Sequence, residues 1–307
     1  MVSMQRWKAD IALVVVTAIW GSTFVVVKNA LDTVGPLVFV AVRFWVAGGA
    51  LVGLLLLQRK IAARPIPIRR RALRDGALTG IFLTLGYVPQ TIGLQTTEAA
   101  KAAFITGLSV VLVPLFAATL LRRPPTRAAT VGVLMATAGL GLLTLDLRQR
   151  LTLAPGDLWV LLCAVGFAAH ITSTARFAPH HDVLPFTTAQ LLTTAVLATA
   201  AALGFERHAL LPPATALPAI VYMGLIATAF VFGVQTWGQR HTTPTHTALI
   251  FALEPVFAAL FAVVFAGEIL EAREWAGGAL ILFGMIVAEV GSTATTKSKK
   301  SVSGLSR

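Results

Sequence analysis

Charged and turn residues cut this chain into ten apolar runs, and that punctuation constrains the fold more than any motif does. The runs cover approximately residues 10–31, 35–57, 75–95, 97–121, 128–145, 156–177, 184–204, 214–238, 243–266 and 271–291. At about 1.5 Å per residue, each is long enough to cross a hydrocarbon core of about 30 Å. In lipid every backbone N–H and C=O must be satisfied inside the protein, which leaves only helices or a closed barrel. The runs are continuously apolar and do not alternate, so the reading is an all-α membrane protein with ten transmembrane helices. Composition points the same way. With 56% apolar and 12% charged residues in 307, there is too little charge to cover a water-facing surface. A cytosolic enzyme, a secreted module and a disordered chain are excluded.

The net charge of +12 sits between the runs, not on a face that could grip nucleic acid. Of the 25 Lys and Arg, 18 fall at the two ends and in the loops after runs two, four, six and eight, against 5 in the opposite loops. Arg43 and Lys101 lie inside runs. By the positive-inside rule both termini are cytoplasmic, as an even number of spans requires, in a cytoplasmic (inner) membrane. The basic loops then meet anionic lipid headgroups, and nucleic acid is not expected as a partner. The short basic start runs into residues 10–31 without a small-residue cleavage site, so that run is read as a retained helix. Residues 292–307, rich in Ser, Thr and Lys, read as a disordered cytoplasmic tail.

The chain repeats itself. An offset of 147 residues lays Ala9-Asp10-Ile11 on Gly156-Asp157-Leu158, Trp20 on Phe167, Thr23 on His170, and Arg43-Phe44 on Gln190-Leu191. Pro114-Leu115-Phe116 matches Pro255-Val256-Phe257, and the Gly132-to-Gly139 spacing recurs as Gly277 to Gly284. The two copies, 10–145 and 156–291, hold five runs each, so the second enters from the opposite side. Two inverted five-helix repeats are the architecture that lets a transporter open alternately to each side. A duplication that serves packing alone would leave the same trace.

A sparse set of polar groups lies at mid-membrane depth, where facing lipid is costly. Glu254 stands halfway along the ninth run, directly before Pro255, which should kink or loosen the helix there. It could bind a substrate ammonium, exchange a proton as the coupling ion, or serve as a structural hinge. His170 is either a binding group or a satisfied packing residue. Arg43 could bond helix-end carbonyls, pair with an acid, or contact a substrate carboxylate. Tyr87, Gln90 and Thr91 share a face of the third run beside Pro89; Thr228, Phe232, Gln235 and Gln239 share a face of the eighth. Trp20 is too central for an interfacial belt and reads as core or cavity wall. Lys101, near the outer surface, can snorkel and is discounted.

The candidate substrate-binding set is therefore Trp20, Thr23, Tyr87, Gln90, His170, Gln235 and Glu254, with Arg43 a candidate anion contact and Glu254 a candidate proton-coupling group. The expected cavity is lined by runs one, three, six, eight and nine. No P-loop is present and no His has carboxylate or Cys partners at metal-ligand spacing, so neither cofactor, metal nor catalysis is expected. The single Cys163 makes no internal disulfide. Abundant Gly and Ala read as contacts within the bundle, and a monomer is expected over a dimer.

The Trp20-Gly21-Ser22 run, Arg43-Phe44, Phe104-Ile105-Thr106-Gly107-Leu108 leading to Pro114, Leu253-Glu254-Pro255 and Gly267-Glu268 together resemble the drug/metabolite transporter superfamily, in its EamA branch. The fourth run departs by ending in Arg122-Arg123-Pro124, and the sixth by holding Phe167 where a Trp is often seen. The resemblance implies a ten-span exporter of small metabolites, commonly amino acids or drugs. The other readings are an intramembrane enzyme or sensor, and a drug or nucleoside efflux facilitator without ion coupling.

Overall fold

Apolar runs close their backbone hydrogen bonds locally, and prolines and caps decide where several of the helices begin. The computed structural model describes residues 4–62, 66–97, 99–122, 124–145, 154–208, 210–261, 263–264 and 269–304. In chain order these form α1 (Met4–Leu31), α2 (Pro36–Ile61), α3 (Arg70–Gly93), α4 (Ala99–Gly107), α5 (Ser109–Leu120), α6 (Arg127–Thr144), α7 (Pro155–Phe177) and α8 (Val183–Phe205). Then come α9 (Leu217–Gly224), a π-helical segment (Leu225–Phe230), α10 (Val231–Gln239), α11 (Pro244–Phe251), α12 (Glu254–Phe261) and α13 (Ala272–Gly304). No strand occurs among the described residues.

Seven stretches are long and apolar enough to cross a membrane: Pro36–Ile61, Lys101–Leu120, Arg127–Thr144, Pro155–His180, Val183–Phe205, Ala214–Gln239 and Pro244–Phe261. The helices at the other three expected positions, α1, α3 and α13, are 28, 24 and 33 residues long but are not among the seven. In α3 the apolar part is diluted by glycines, threonines, Pro89 and Gln90 after an opening turn with Arg70, Arg71, Arg74 and Asp75. Helix α13 runs to Gly304, into the segment read from sequence as a tail. No proline or glycine stands between Ser292 and Ser303 to stop it. Residues 305–307 lie outside the described residues, as do Gly267 and Glu268.

Helix starts follow simple chemistry. Proline occupies the first turn of α2, α7 and α11, where its missing N–H is no loss. Thr126 and Thr243 cap α6 and α11 by accepting from Ala129 N and His246 N. Helix α2 has no cap of its own; the Glu206 carboxylate at the end of α8 accepts from Leu37 N at 3.1 Å and Val38 N at 2.9 Å. Glu206→Ala is expected to cost about 1 kcal/mol of stability, the usual price of a lost N-cap, read as a lower melting temperature in detergent.

Two expected spans are broken helices. The fourth divides at Leu108, between α4 and α5, and the ninth at Ala252-Leu253, between α11 and α12. Sequence placed a kink at Pro255; the break falls just before it, with Pro255 in the first turn of α12. Proline cannot donate to the carbonyl four residues back, so the preceding turn closes differently: Leu253 N bonds Ile250 O instead. The eighth span, expected as one helix, contains the π-helical segment.

The halves pack mainly on each other, in reciprocal pairs. Helix α6 lies along α13, α2 along α8, α3 along α7 and α8, and α1 against α10, α11 and α12. The α6–α13 seam is made by glycines: Gly132 faces Gly284 and Gly139 faces Gly277, carbonyl against Cα. Lipid tails supply no hydrophobic drive between helices, so such close backbone approach is what holds them.

Candidate functional site

At the centre of the bundle, α1, α2, α3, the two broken helices, α7 and α10 surround a cavity of about 100 Å³. At roughly 10–15 Å³ per water-sized group, this admits a small solute. Trp20, Thr23, Tyr87, Gln90, His170, Gln235 and Glu254 all line it, and so does Arg43. The repeat-related pairs Trp20 and Phe167, and Thr23 and His170, therefore share one hollow.

Arg43 is 3% exposed and held by α3 and the π-helical segment. Its Nε donates to Thr228 Oγ1 at 2.6 Å, and its Nη2 to the Ala227 carbonyl at 3.2 Å and Tyr87 Oη at 3.5 Å. The guanidinium also stacks 4.9 Å from the Tyr87 ring centroid. Among the described residues no acid pairs with it. The π-helical segment explains the geometry: lengthening the turn takes carbonyls out of the ordinary ladder. Ala227 O then accepts from both Arg43 and Trp20 Nε1, the latter at 3.1 Å, while Thr228 Oγ1 donates to Met223 O at 2.7 Å.

The aromatic wall is built around Phe232, whose ring lies 5.6 Å from Trp20, 6.1 Å from Tyr87 and 5.6 Å from His170. His170 Nε2 donates to Gln190 Oε1 at 2.9 Å, so its ring is anchored to α8 as well as facing the cavity. Gln90 Nε2 donates to Thr106 Oγ1 at 3.3 Å. Gln235 Nε2 donates to Gln239 Oε1 at 3.1 Å, which leaves the buried Gln235 Oε1 without a partner among the described residues. Glu254, at the first position of α12, receives no hydrogen bond at its carboxylate from the described residues. Helix α1 reaches it closely because Gly21 lies against the Glu254 carbonyl, where a Cβ would not fit.

Several polar groups fall elsewhere than the sequence suggested. Thr91 turns back onto the Tyr87 carbonyl, Thr228 serves Arg43, and Gln239 Nε2 bonds Ile171 O. Lys101, discounted as snorkelling, pairs with Asp157. Two histidines without carboxylates at metal-ligand spacing in the sequence face single distant ones in the fold: His181 Nε2 lies 2.8 Å from Asp75 and His246 Nε2 3.2 Å from Asp10. These partners are distant in sequence, which is why spacing did not reveal them. Helices α2, α4 and α5, outside the expected lining, also contribute to the wall, α4 and α5 with Ala103, Thr106, Gly107 and Ser109. A signal existed in Gly107, a helix-weakening residue directly before the Leu108 break.

Comparison with known proteins adds three findings. The model of the EamA-like transporter family matches residues 7–145 and 154–289. An uncharacterized transporter of Archaeoglobus fulgidus is 32% identical over 94% of this chain and 87% of its own, and the inner membrane transporter YedA of Escherichia coli is 23% identical over 91% and 90%. A protein of Streptantibioticus cattleyicolor named as a probable terminal-alkyne amino-acid exporter is 27% identical over 92% and 94%. One solved crystal structure shares the fold, with a TM-score of 0.75 at 22% identity over 92% of this chain and 98% of the other.

Proposed function

The chain belongs to the EamA-like transporter family, and from that premise we propose that it exports small zwitterionic metabolites, amino acids foremost, across the cytoplasmic membrane by alternating access. One observation carries the reading. Arg43 and Glu254 line the same cavity, and neither makes a salt bridge among the described residues. A buried guanidinium and a half-buried carboxyl group that face one hollow without an ionic partner are costly as charges unless a ligand completes them. A substrate carboxylate meets Arg43. Its ammonium meets Glu254 and the unpartnered Gln235 Oε1. Trp20, Phe232 and Phe167 face the side chain.

The architecture in this proposal is ten spans in two inverted halves, 10–145 and 156–291, acting as a monomer with both termini cytoplasmic. Support comes from the reciprocal packing of the halves, the convergence of repeat-related residues on one cavity, and the glycine seam between the last helix of each half. The amino-acid reading is supported by the name of the Streptantibioticus relative.

Uptake of a panel of radiolabelled amino acids, nucleosides and cationic drugs into proteoliposomes tests the substrate class. Saturable uptake of amino acids that Arg43 and Glu254 variants lose is the expected result; selective transport of uncharged or purely cationic solutes overturns it. Glu254 is also the proton-coupling group in this proposal. Wild type should then show gradient-stimulated uptake that Glu254→Gln lacks. Equal stimulation in both proteins rejects that role.

A further inference from the structure

Two contacts between an aspartate and a basic side chain, one at each end of the bundle, join the halves through equivalent positions; the one with His246 is ionic when the imidazole is protonated. Asp10, in the opening turns of α1, faces His246 in the first turn of α11 at 3.2 Å. Asp157, in the first turn of α7, is paired with Lys101 near the start of α4 and also accepts from Thr97 Oγ1 at 3.0 Å. The repeat offset lays Asp10 on Asp157, and α4 and α11 are the first segments of the two broken helices. Each half thus places an aspartate from the start of its first helix against a basic group at the start of the other half's broken helix. The two pairs lie at opposite ends of α7: Asp157 stands in its first turn, whereas Ala9 beside Asp10 meets Gly238 at the end of α10, which bonds the opening of α8 just after α7 through Thr236 and Thr187.

We propose that these pairs are the two gate latches of the transporter: Lys101–Asp157 closes the outer mouth and Asp10–His246 the cytoplasmic mouth. Both broken helices contribute to the cavity wall directly beyond the latched turn, through Ala103 and Thr106 in α4 and Ala248 and Phe251 in α11. Releasing one latch frees the first segment of one broken helix to swing at its own hinge, Leu108 or Ala252-Leu253, while the other mouth stays shut. Both pairs are closed in this structure. The inference rests on the alternating-access reading above.

The test uses the full-length protein with Cys163→Ala and a reporter Ser109→Cys in the cavity wall, in oriented vesicles of both sidedness. Labelling by a membrane-impermeant maleimide is followed over time. Lys101→Gln leaves the Asp157 bond to Ala154 N that starts α7, and should speed labelling from outside about five- to tenfold without speeding it from the cytoplasmic side. His246→Gln and Asp10→Asn should do the reverse. Exchanging the charges, Lys101→Asp with Asp157→Lys, should restore the slow rate. A lowered melting temperature with unchanged sidedness in these variants overturns the latches and leaves alternating access standing. A reporter that reacts from neither side in any variant overturns both.

Discussion

Replacing Arg43 with methionine is expected to raise the substrate KM about tenfold to a hundredfold, the value of one charge-assisted hydrogen bond at about 1.5–3 kcal/mol. Methionine keeps the bulk of the side chain against Tyr87 and Phe44, so the change isolates the charge and its donors. Ala227 O retains its bond from Trp20 Nε1, and Thr228 Oγ1 still donates to Met223 O, so the π-helical segment is not stripped of partners. Arg43→Lys separates charge from geometry. An ammonium keeps the charge but cannot hold Thr228 and Ala227 with one planar fork while presenting its other face to a carboxylate. It should fall between wild type and Arg43→Met. Concentration-dependent uptake in proteoliposomes reads all three. Wild-type KM in Arg43→Met would falsify the carboxylate contact.

The second large effect is on folding. A Cβ on Gly139 would stand 2.6 Å from the Gly277 carbonyl oxygen and 2.8 Å from Ile281, and the contact is returned from Gly277 to Gly139 O. The Gly277 oxygen is backbone, as is Ile281 N at 2.9 Å, so neither can yield without moving a whole helix; only the Ile281 Cγ1 contact at 2.8 Å could be relieved by a side-chain shift. Gly139→Leu should therefore destabilise the protein by about 1–3 kcal/mol or more, the range for overpacked interiors, and separate α6 from α13. Gly49→Leu is the matched control, because nothing stands within 4 Å of its Cβ position. Thermal aggregation in detergent, followed by size-exclusion chromatography, should show early loss of the Gly139 variant and little change in the control. Equal melting of the two would remove the glycine seam as the bond between the halves.

These two sites differ in how legible they were. The seven-residue glycine spacing, present once in each half, stood out in sequence because helical packing demands small residues at a repeated period. Its pairing as Gly132 with Gly284 and Gly139 with Gly277 did not, since spacing along one helix says nothing about which helix it meets. Arg43 stood out as a cation inside an apolar run. Its partners, Thr228 and Ala227, lie more than 180 residues away on a segment whose π-helical form has no proline or glycine to announce it. The candidate residues could be chosen from sequence because a polar group at membrane depth is costly wherever it stands. Lys101 was set aside for a related reason: a lysine near a helix end can satisfy itself with water, and only the approach of α7 supplies Asp157.

What the amino-acid order determined alone was helix, for each long apolar run must bond its own backbone when water is absent, and that closure is local. The repeat and the polar positions were equally a matter of order. Tertiary structure decided where helices break, which faces meet, and which charges find partners. Breaks at Leu108 and Ala252-Leu253 and the ion pairs across the halves depend on groups brought together from distant parts of the chain, and their energies exist only once the bundle has closed.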